Sequence, residues 1–269
     1  MSDPRAAGPL SDEELERYER QLRLEGFGLG AQRRLRSSTA LVSRVGGVGG
    51  SAAMQLARAG IGRLVLAHGG PVHREYLNRM QLAMHEDVGR PCSEVVAERL
   101  RAINPHTEIV AVGENVCEAN VAALVEEADV IVDGAPLFEE RYLMNAESLA
   151  QGKPMISGAM YATDGYVTTF IPGQTGCLRC LFADRPPDWT NIRVFPAIGP
   201  GPAIVGAMAA MEAIKLLTGF GTPLAGRLWT FDLADNLTRA LRIEPSADCP
   251  VCATAVADHP HPQAVPHPR

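Results

Sequence analysis

Hydrophobic and polar positions along this chain follow two alternating periods. Short apolar, β-prone runs lie at 39–43, 64–67, 107–112 and 130–132, the last closing in Asp133, with further runs at 155–157 and 166–170. Between them the spacing becomes helical, over 52–59, 93–102, 119–127 and 139–151. Strands alternating with helices of this length predict a parallel, doubly wound sheet. Residues 203–217 (AIVGAMAAMEAIKLL) form a strongly apolar helix stopped by Gly219. Its small residues predict close packing on the sheet or on a partner helix. Runs at 228–232 and 240–243 read as a late antiparallel pair. The fold class is therefore α/β: a Rossmann-like, mainly parallel sheet with an added antiparallel C-terminal part.

The N-terminal pattern is different. Ser11-Asp12-Glu13-Glu14 is a helix-start signature, a capping residue followed by acids. The helix it opens, 15–24 (LERYERQLRL), is too charged to read as a core element and suits a lid or a dimer arm. A short helix follows at 32–36. Residues 71–91 read as a loop with helical turns, and 189–202 as a long loop rich in Pro and Gly. Residues 1–10 and 256–269 have no means of packing a core, so one domain is expected over 11–255. His259, His261 and His267 fall in the solvated tail.

The stretch 37–70 carries the first chemical signal. It reads strand, glycine-rich turn, helix, strand, the first half of a nucleotide-binding βαβ unit. Backbone N–H groups at such a helix start hold phosphate. Gly46, Gly47 and Gly49 lie in the turn, but Arg44 stands where a tight turn prefers glycine. That side chain either fills the pocket or binds an anion. Packing of helix on strand explains the glycines without any ligand. His68-Gly69-Gly70 ends the second strand where an acid would hold ribose.

Composition adds little until the cysteines. The net charge of -6 gives no reason to expect a nucleic-acid surface, and no apolar run looks long enough to span a membrane. No signal peptide opens the chain, which predicts a cytoplasmic protein. Six cysteines include two C-x-x-C pairs, Cys177/Cys180 and Cys249/Cys252. In a reducing compartment such pairs read as metal ligands, and four thiolates make a closed, structural zinc site. Cys92 and Cys117 stand alone and read as small apolar residues.

Several ordered segments resemble one superfamily, the ubiquitin-activating-enzyme-like proteins that include ThiF, MoeB and HesA. They are ERYERQLRLEGFGLGAQRRL, GGVGGSAAMQLARAGIGRLVLA, YLNRM, RAINPHTEI, VDGAPLFEERYLMN, KPMISGAMYATDGYV, CLRC, VGAMAAMEAIKLLTG and CPVC. The resemblance covers roughly residues 11–252. It implies a fold that adenylates the C-terminal glycine of a ubiquitin-like or sulfur-carrier protein with Mg-ATP, in many members as a dimer. It implies that the two C-x-x-C pairs meet at zinc. It further implies that Asn78 and the loop glycines belong to the nucleotide site, that Arg79 keeps the arginine the family uses in its Asn-Arg segment, and that Arg20 of the arm reaches a partner's ATP.

Other positions depart from that pattern together. The ribose acid falls on His68, with Gly70 after it; the phosphate lysine on Cys92; the Asp-Asn pair serving magnesium on Pro136 and Leu137. The loop that carries an acyl-accepting cysteine in some members has none here (DWTNIRVFPAIGPGPA). Losing the magnesium acid and the phosphate lysine should cost several orders of magnitude in adenylation, since one such group is worth about 10²–10³. The expectation is a zinc-containing homodimer or heterodimer that has lost ATP/Mg2+ chemistry, a pseudoenzyme or an arginine-donating half that still binds a carrier. The alternative is an adenylyltransferase with a rebuilt site. A Rossmann oxidoreductase is argued against by the missing acid and the zinc cysteines.

Overall fold

The computed structural model describes residues 9–186 and 196–253. The expectations for residues 1–8, 187–195 and 254–269, including the tail histidines, lie outside them.

Eight strands form one sheet in the order β3-β2-β1-β4-β5-β6-β7-β8. They are β1 Thr39–Ser43, β2 Arg63–Ala67, β3 Glu108–Val112, β4 Val130–Asp133, β5 Met155–Tyr161, β6 Asp164–Phe170, β7 Arg227–Asp232 and β8 Leu237–Arg242. Strands β1 to β5 pair in parallel, and β5 through β8 run antiparallel. This is the predicted architecture.

Why the early strands read as continuous apolar runs is clear from their two faces. Ala40, Val42, Leu64, Leu66, Val130 and Val132 join one core, while Leu41, Val65, Ala67 and Ile131 join the other. Strand side chains alternate faces, so a strand covered on both sides must be apolar throughout. The first core is closed by α3 Gly28–Arg36, α4 Gly47–Ala59, α5 Cys92–Ile103 and α9 Pro200–Thr218. The second lies under α6 Val121–Glu126, α7 Phe138–Ala150 and α8 Leu178–Leu181.

Helix α9 begins three residues earlier than its apolar pattern, because Pro200 and Pro202 suit the first helical turn. It is also long and apolar enough to cross a membrane by length and composition, against the sequence reading. Half of it is buried in the protein, where it packs on α4 and the sheet. A Cβ on Gly206 would sit 2.3 Å from the Val48 carbonyl oxygen and 2.6 Å from Ser51 Cβ. That close approach is the reason for the small residues.

The N-terminal arm differs from the expected single helix. It forms α1 Asp12–Arg17 and α2 Glu19–Leu22, broken at Tyr18. Ser11 and Glu14 make the reciprocal capping box. Tyr18 is buried, its hydroxyl accepting from Asn104 Nδ2 at 2.8 Å. Gln21 donates to the Ala59 carbonyl at 2.8 Å and to Gln32 Oε1 at 2.5 Å. Two residues thus dock an arm whose average composition is that of a solvated helix.

Candidate functional site

Register assembles the cleft. Ser43, the last residue of β1, pairs with Ala67 of β2 and Asp133 of β4. The segments that follow, starting at Arg44, His68 and Gly134, therefore leave the sheet side by side. This is the point where the chain turns from β2 on one side of β1 to β4 on the other, the crevice in which such sheets bind ligands. A cleft of about 790 Å³, open to solvent, lies there. Its lining includes Gly46, Gly47, Tyr76, Arg79, Pro136, Met160 and Pro202.

Gly46 caps α4, which starts within the predicted turn at Gly47. A Cβ on Gly49 would meet the Arg44 and Ser43 carbonyl oxygens at 2.7 and 2.8 Å, and one on Gly47 would meet Pro202 Cβ at 2.9 Å. Packing thus accounts for these two glycines. It does not account for Gly46, whose Cβ would meet only the Arg44 oxygen, at 4.0 Å.

Arg44 takes a left-handed backbone, φ 56°, which is why glycine is preferred at this position. Its side chain neither lies free in the cleft nor waits for an anion. Nε stands 2.8 Å from Glu140 Oε2 and Nη2 2.5 Å from Glu140 Oε1. The pair is nearly buried, with side chains 15% and 9% exposed. Glu140 sits in the first turn of α7, behind the segment that carries Pro136. Sequence reading missed it because the partner lies 96 residues away.

His68 is 7% exposed and lines the cleft. Burial, with the adjacent Arg44 guanidinium, pushes its imidazole down to about 4, so it is neutral at pH 7. Its Nδ1 is buried without a hydrogen-bond partner. Arg141, a second residue missed from sequence, donates to the Ala135 carbonyl at 2.6 Å and to the Tyr166 hydroxyl at 2.9 Å. It also stands 3.6 Å from Asp133 Oδ2. Asp133 further accepts from Ser157 Oγ at 2.9 Å and the Ala135 N–H at 3.0 Å.

The other expected residues divide. Arg79 lines the cleft; its Nη1 donates to the Glu75 carbonyl at 2.7 Å and to Asn78 Oδ1 at 2.8 Å. Asn78 is outside the lining and turns its amide to the Ala197 carbonyl, 3.1 Å away. Cys92 is wholly buried, and burial raises its thiol to about 11. Cys117 is exposed. Arg20 is exposed on α2 and does not line its own chain's cleft.

Among the described residues no carboxylate lines the cleft. Glu140 and Asp133 pair with Arg44 and Arg141, which line it. Pro136 and the neutral His68 are among its lining residues.

The four paired cysteines do meet. Their Sγ atoms lie within 4.8 Å of one another, Cys177 with Cys249 at 3.7 Å and Cys180 with Cys252 at 3.4 Å. Four sulfurs around zinc at about 2.3 Å stand roughly 3.8 Å apart, so the set fits that metal. The second pair reaches the first although 68 residues separate Cys180 from Cys249 (249 − 180 − 1). Helix α8 presents Cys180, and its Leu178 N–H is held by Asn145 Oδ1 of α7 at 2.9 Å. The Ser246 N–H points at Cys180 Sγ, 3.3 Å away.

A doubly wound sheet with a crevice at its switch point and a four-cysteine cluster at its flank defines an adenylyltransferase-type fold. Residues 18–251 match the ThiF family, and the chain belongs to it. It is 44% identical to "Protein HesA, vegetative" of Trichormus variabilis over 94% of this chain and 95% of that one. It is 35% identical to the sulfur carrier protein ThiS adenylyltransferase of Escherichia coli, covering 93% and 99%. Among solved structures, E. coli MccB with ATP superimposes with a TM-score of 0.79 at 23% identity, covering 88% of this chain and 74% of that one. This last likeness concerns the fold.

Proposed function

We propose that this protein binds the C-terminal tail of a ubiquitin-like or sulfur-carrier protein, or of a peptide, and does not adenylate it. The observation that carries this reading is the commitment of Asp133 and Glu140 to buried arginine pairs, with proline at the magnesium position. Adenylation needs a divalent cation and positive side chains to spread triphosphate charge. The same chain would act as a pseudoenzyme, or as one half of a homodimer or heterodimer that donates Arg20 to its partner's site. The exposure of Arg20 on a docked arm supports that role. We place it in the cytoplasm, where the zinc thiols stay reduced.

The test is ATP–pyrophosphate exchange with a candidate carrier, paired with calorimetry of carrier binding. Carrier binding without exchange is the expected result; exchange above the level of an uncatalysed control overturns the reading.

A second reading is a working adenylyltransferase with a rebuilt site. The open cleft, Arg79 and the unobstructed Gly46 favour it, as do the names of relatives such as the Thermus thermophilus sulfur carrier protein adenylyltransferase, 36% identical. It predicts exchange once the right carrier is supplied.

A further inference from the structure

Helix α7 turns one stripe of residues inward, and four of them are polar: Glu140, Arg141, Asn145 and Ser148. Buried polar groups need partners, so each can be followed to its own. Glu140 pairs with Arg44, and Arg141 with Asp133 and Tyr166. Ser148 Oγ donates to the Lys153 carbonyl at 2.6 Å. Asn145 is accounted for only in half. Its Oδ1 accepts from the Leu178 N–H at 2.9 Å, while its Nδ2 is buried with no hydrogen-bond partner.

The amide cannot turn over to find one. A flip would set its NH2 group against the Leu178 N–H, donor against donor. The free end is therefore fixed, and it is fixed at the cysteine corner, because Leu178 follows Cys177, the cap of α8. Burial pushes the Cys177 thiol up, while the Cys180 N–H and the Asn145 side chain act the other way and favour the thiolate. A free thiol is a weak hydrogen-bond acceptor, and an ionised group is a much stronger one. Four thiolates around a divalent ion also leave a net negative charge in a buried place, which calls for donors at the sulfurs. The Ser246 N–H supplies one to Cys180, at 3.3 Å.

We propose that Asn145 is a positioning residue of the metal corner: its Oδ1 holds the backbone at Leu178, and its Nδ2–H donates to the Cys177 thiolate when zinc is bound. The amide touches a ligand and not the metal. It finds its second partner only in the loaded state, so it strengthens zinc binding by favouring that state. Outer groups of this kind are worth about 10–100-fold in metal affinity. The inference goes beyond the functional reading above and does not depend on what the cleft binds.

The test uses the full chain, loaded with zinc, cobalt or a magnetically active cadmium isotope. In the cadmium-loaded chain, NMR is expected to show scalar coupling between the metal and the Asn145 side-chain amide protons, carried through the N–H···S bond. Competition with a chromophoric chelator should show zinc held about 10–100-fold more weakly by Asn145→Ala and Asn145→Asp. In the cobalt-loaded variants the sulfur-to-cobalt charge-transfer band should move to lower energy, because a thiolate that loses a donor gives up its electrons more readily. Asn145→Asp, read in mildly alkaline buffer that keeps the carboxylate ionised, separates this role from simple packing: it still accepts from Leu178 but has no N–H to give. Zinc affinity and cobalt band both unchanged in Asn145→Asp overturn the proposal. So does absence of the cadmium coupling, or a chain that binds none of the three metals. The coupling is read on the unaltered chain, so it decides the matter if a variant does not fold. Pyrophosphate exchange and carrier binding test the reading of the cleft and leave these three readouts unmoved.

Discussion

The cysteine corner and the cleft lie on one sheet but follow different rules. At the corner, four identical thiols converge within 4.8 Å, and removing one would leave a metal held there three-coordinate. Each ligand depends on the others, so the set is kept or lost whole. In the cleft, recognition is spread over loops that follow β1, β2 and β4. Each loop is anchored by its own strand, so its side chains can change while the crevice stays open. Arg44 and His68 show this: the first is paired with Glu140 and the second is buried, while the cleft beside them stays open. A site built from one shared centre resists piecemeal change; a site built from separate loops permits it.

The harshest way to break this contrast is to remove a zinc ligand. Cys249→Ser is expected to cost on the order of 4 kcal/mol or more, read by denaturant unfolding with metal content measured on the same sample. Undiminished stability with no metal bound would show that the corner tolerates loss as the cleft does.

Next comes the buried pair. Glu140→Gln leaves the Arg44 guanidinium unbalanced and should cost about 3 kcal/mol. Arg44→Gly combined with Glu140→Gln should recover most of that loss, because both charges leave and glycine accepts the left-handed backbone. A double-mutant cycle with no coupling would remove the pair from the account of the cleft.

Acid tests His68. Its imidazole is held down to about 4 in the folded chain, against an ordinary value near 6.5. The unfolded chain therefore binds more protons between these values, and stability falls as pH drops from 6.5 to 4. The full loss is about 3 kcal/mol. Unfolding titrations of His68→Asn should lack that acid limb.

The smallest effect separates the two uses of glycine inside one turn. Gly46→Ala should change stability by about 1 kcal/mol or less, whereas Gly49→Ala, pressed on the Ser43 and Arg44 carbonyls, should cost about 2–3 kcal/mol. Equal losses would mean that Gly46, too, is kept for packing.

Much of the fold was legible along the chain because both layers of the core impose local periods. The strand β1 and the helix α5 could be read from their own side chains, to within a residue or two. The arm was misread because Tyr18 and Gln21, two residues in a charged helix, decide its docking. The zinc corner was legible because its ligands come as two adjacent pairs. The cleft was half legible: its residues were visible, but not the distant partners they meet. Arg44 reads as filling the pocket or binding an anion, and its partner Glu140 lies 96 residues on; Asp133 ends β4 as expected, but nothing local marks Arg141 as its partner.

By itself, the sequence determined the strand and helix order, the four thiols and the departures at His68, Cys92 and Pro136. Those follow from residue identity and short-range spacing, which the chain carries everywhere. Tertiary structure decided which charges are spent. Whether Arg44, Arg79 and Arg141 face a ligand or a carboxylate depends on segments brought together by register, and only Arg79 keeps its charge uncompensated among the described lining residues. Electrostatics acts over ångströms in space, and no local pattern along the chain records which distant residue will stand there.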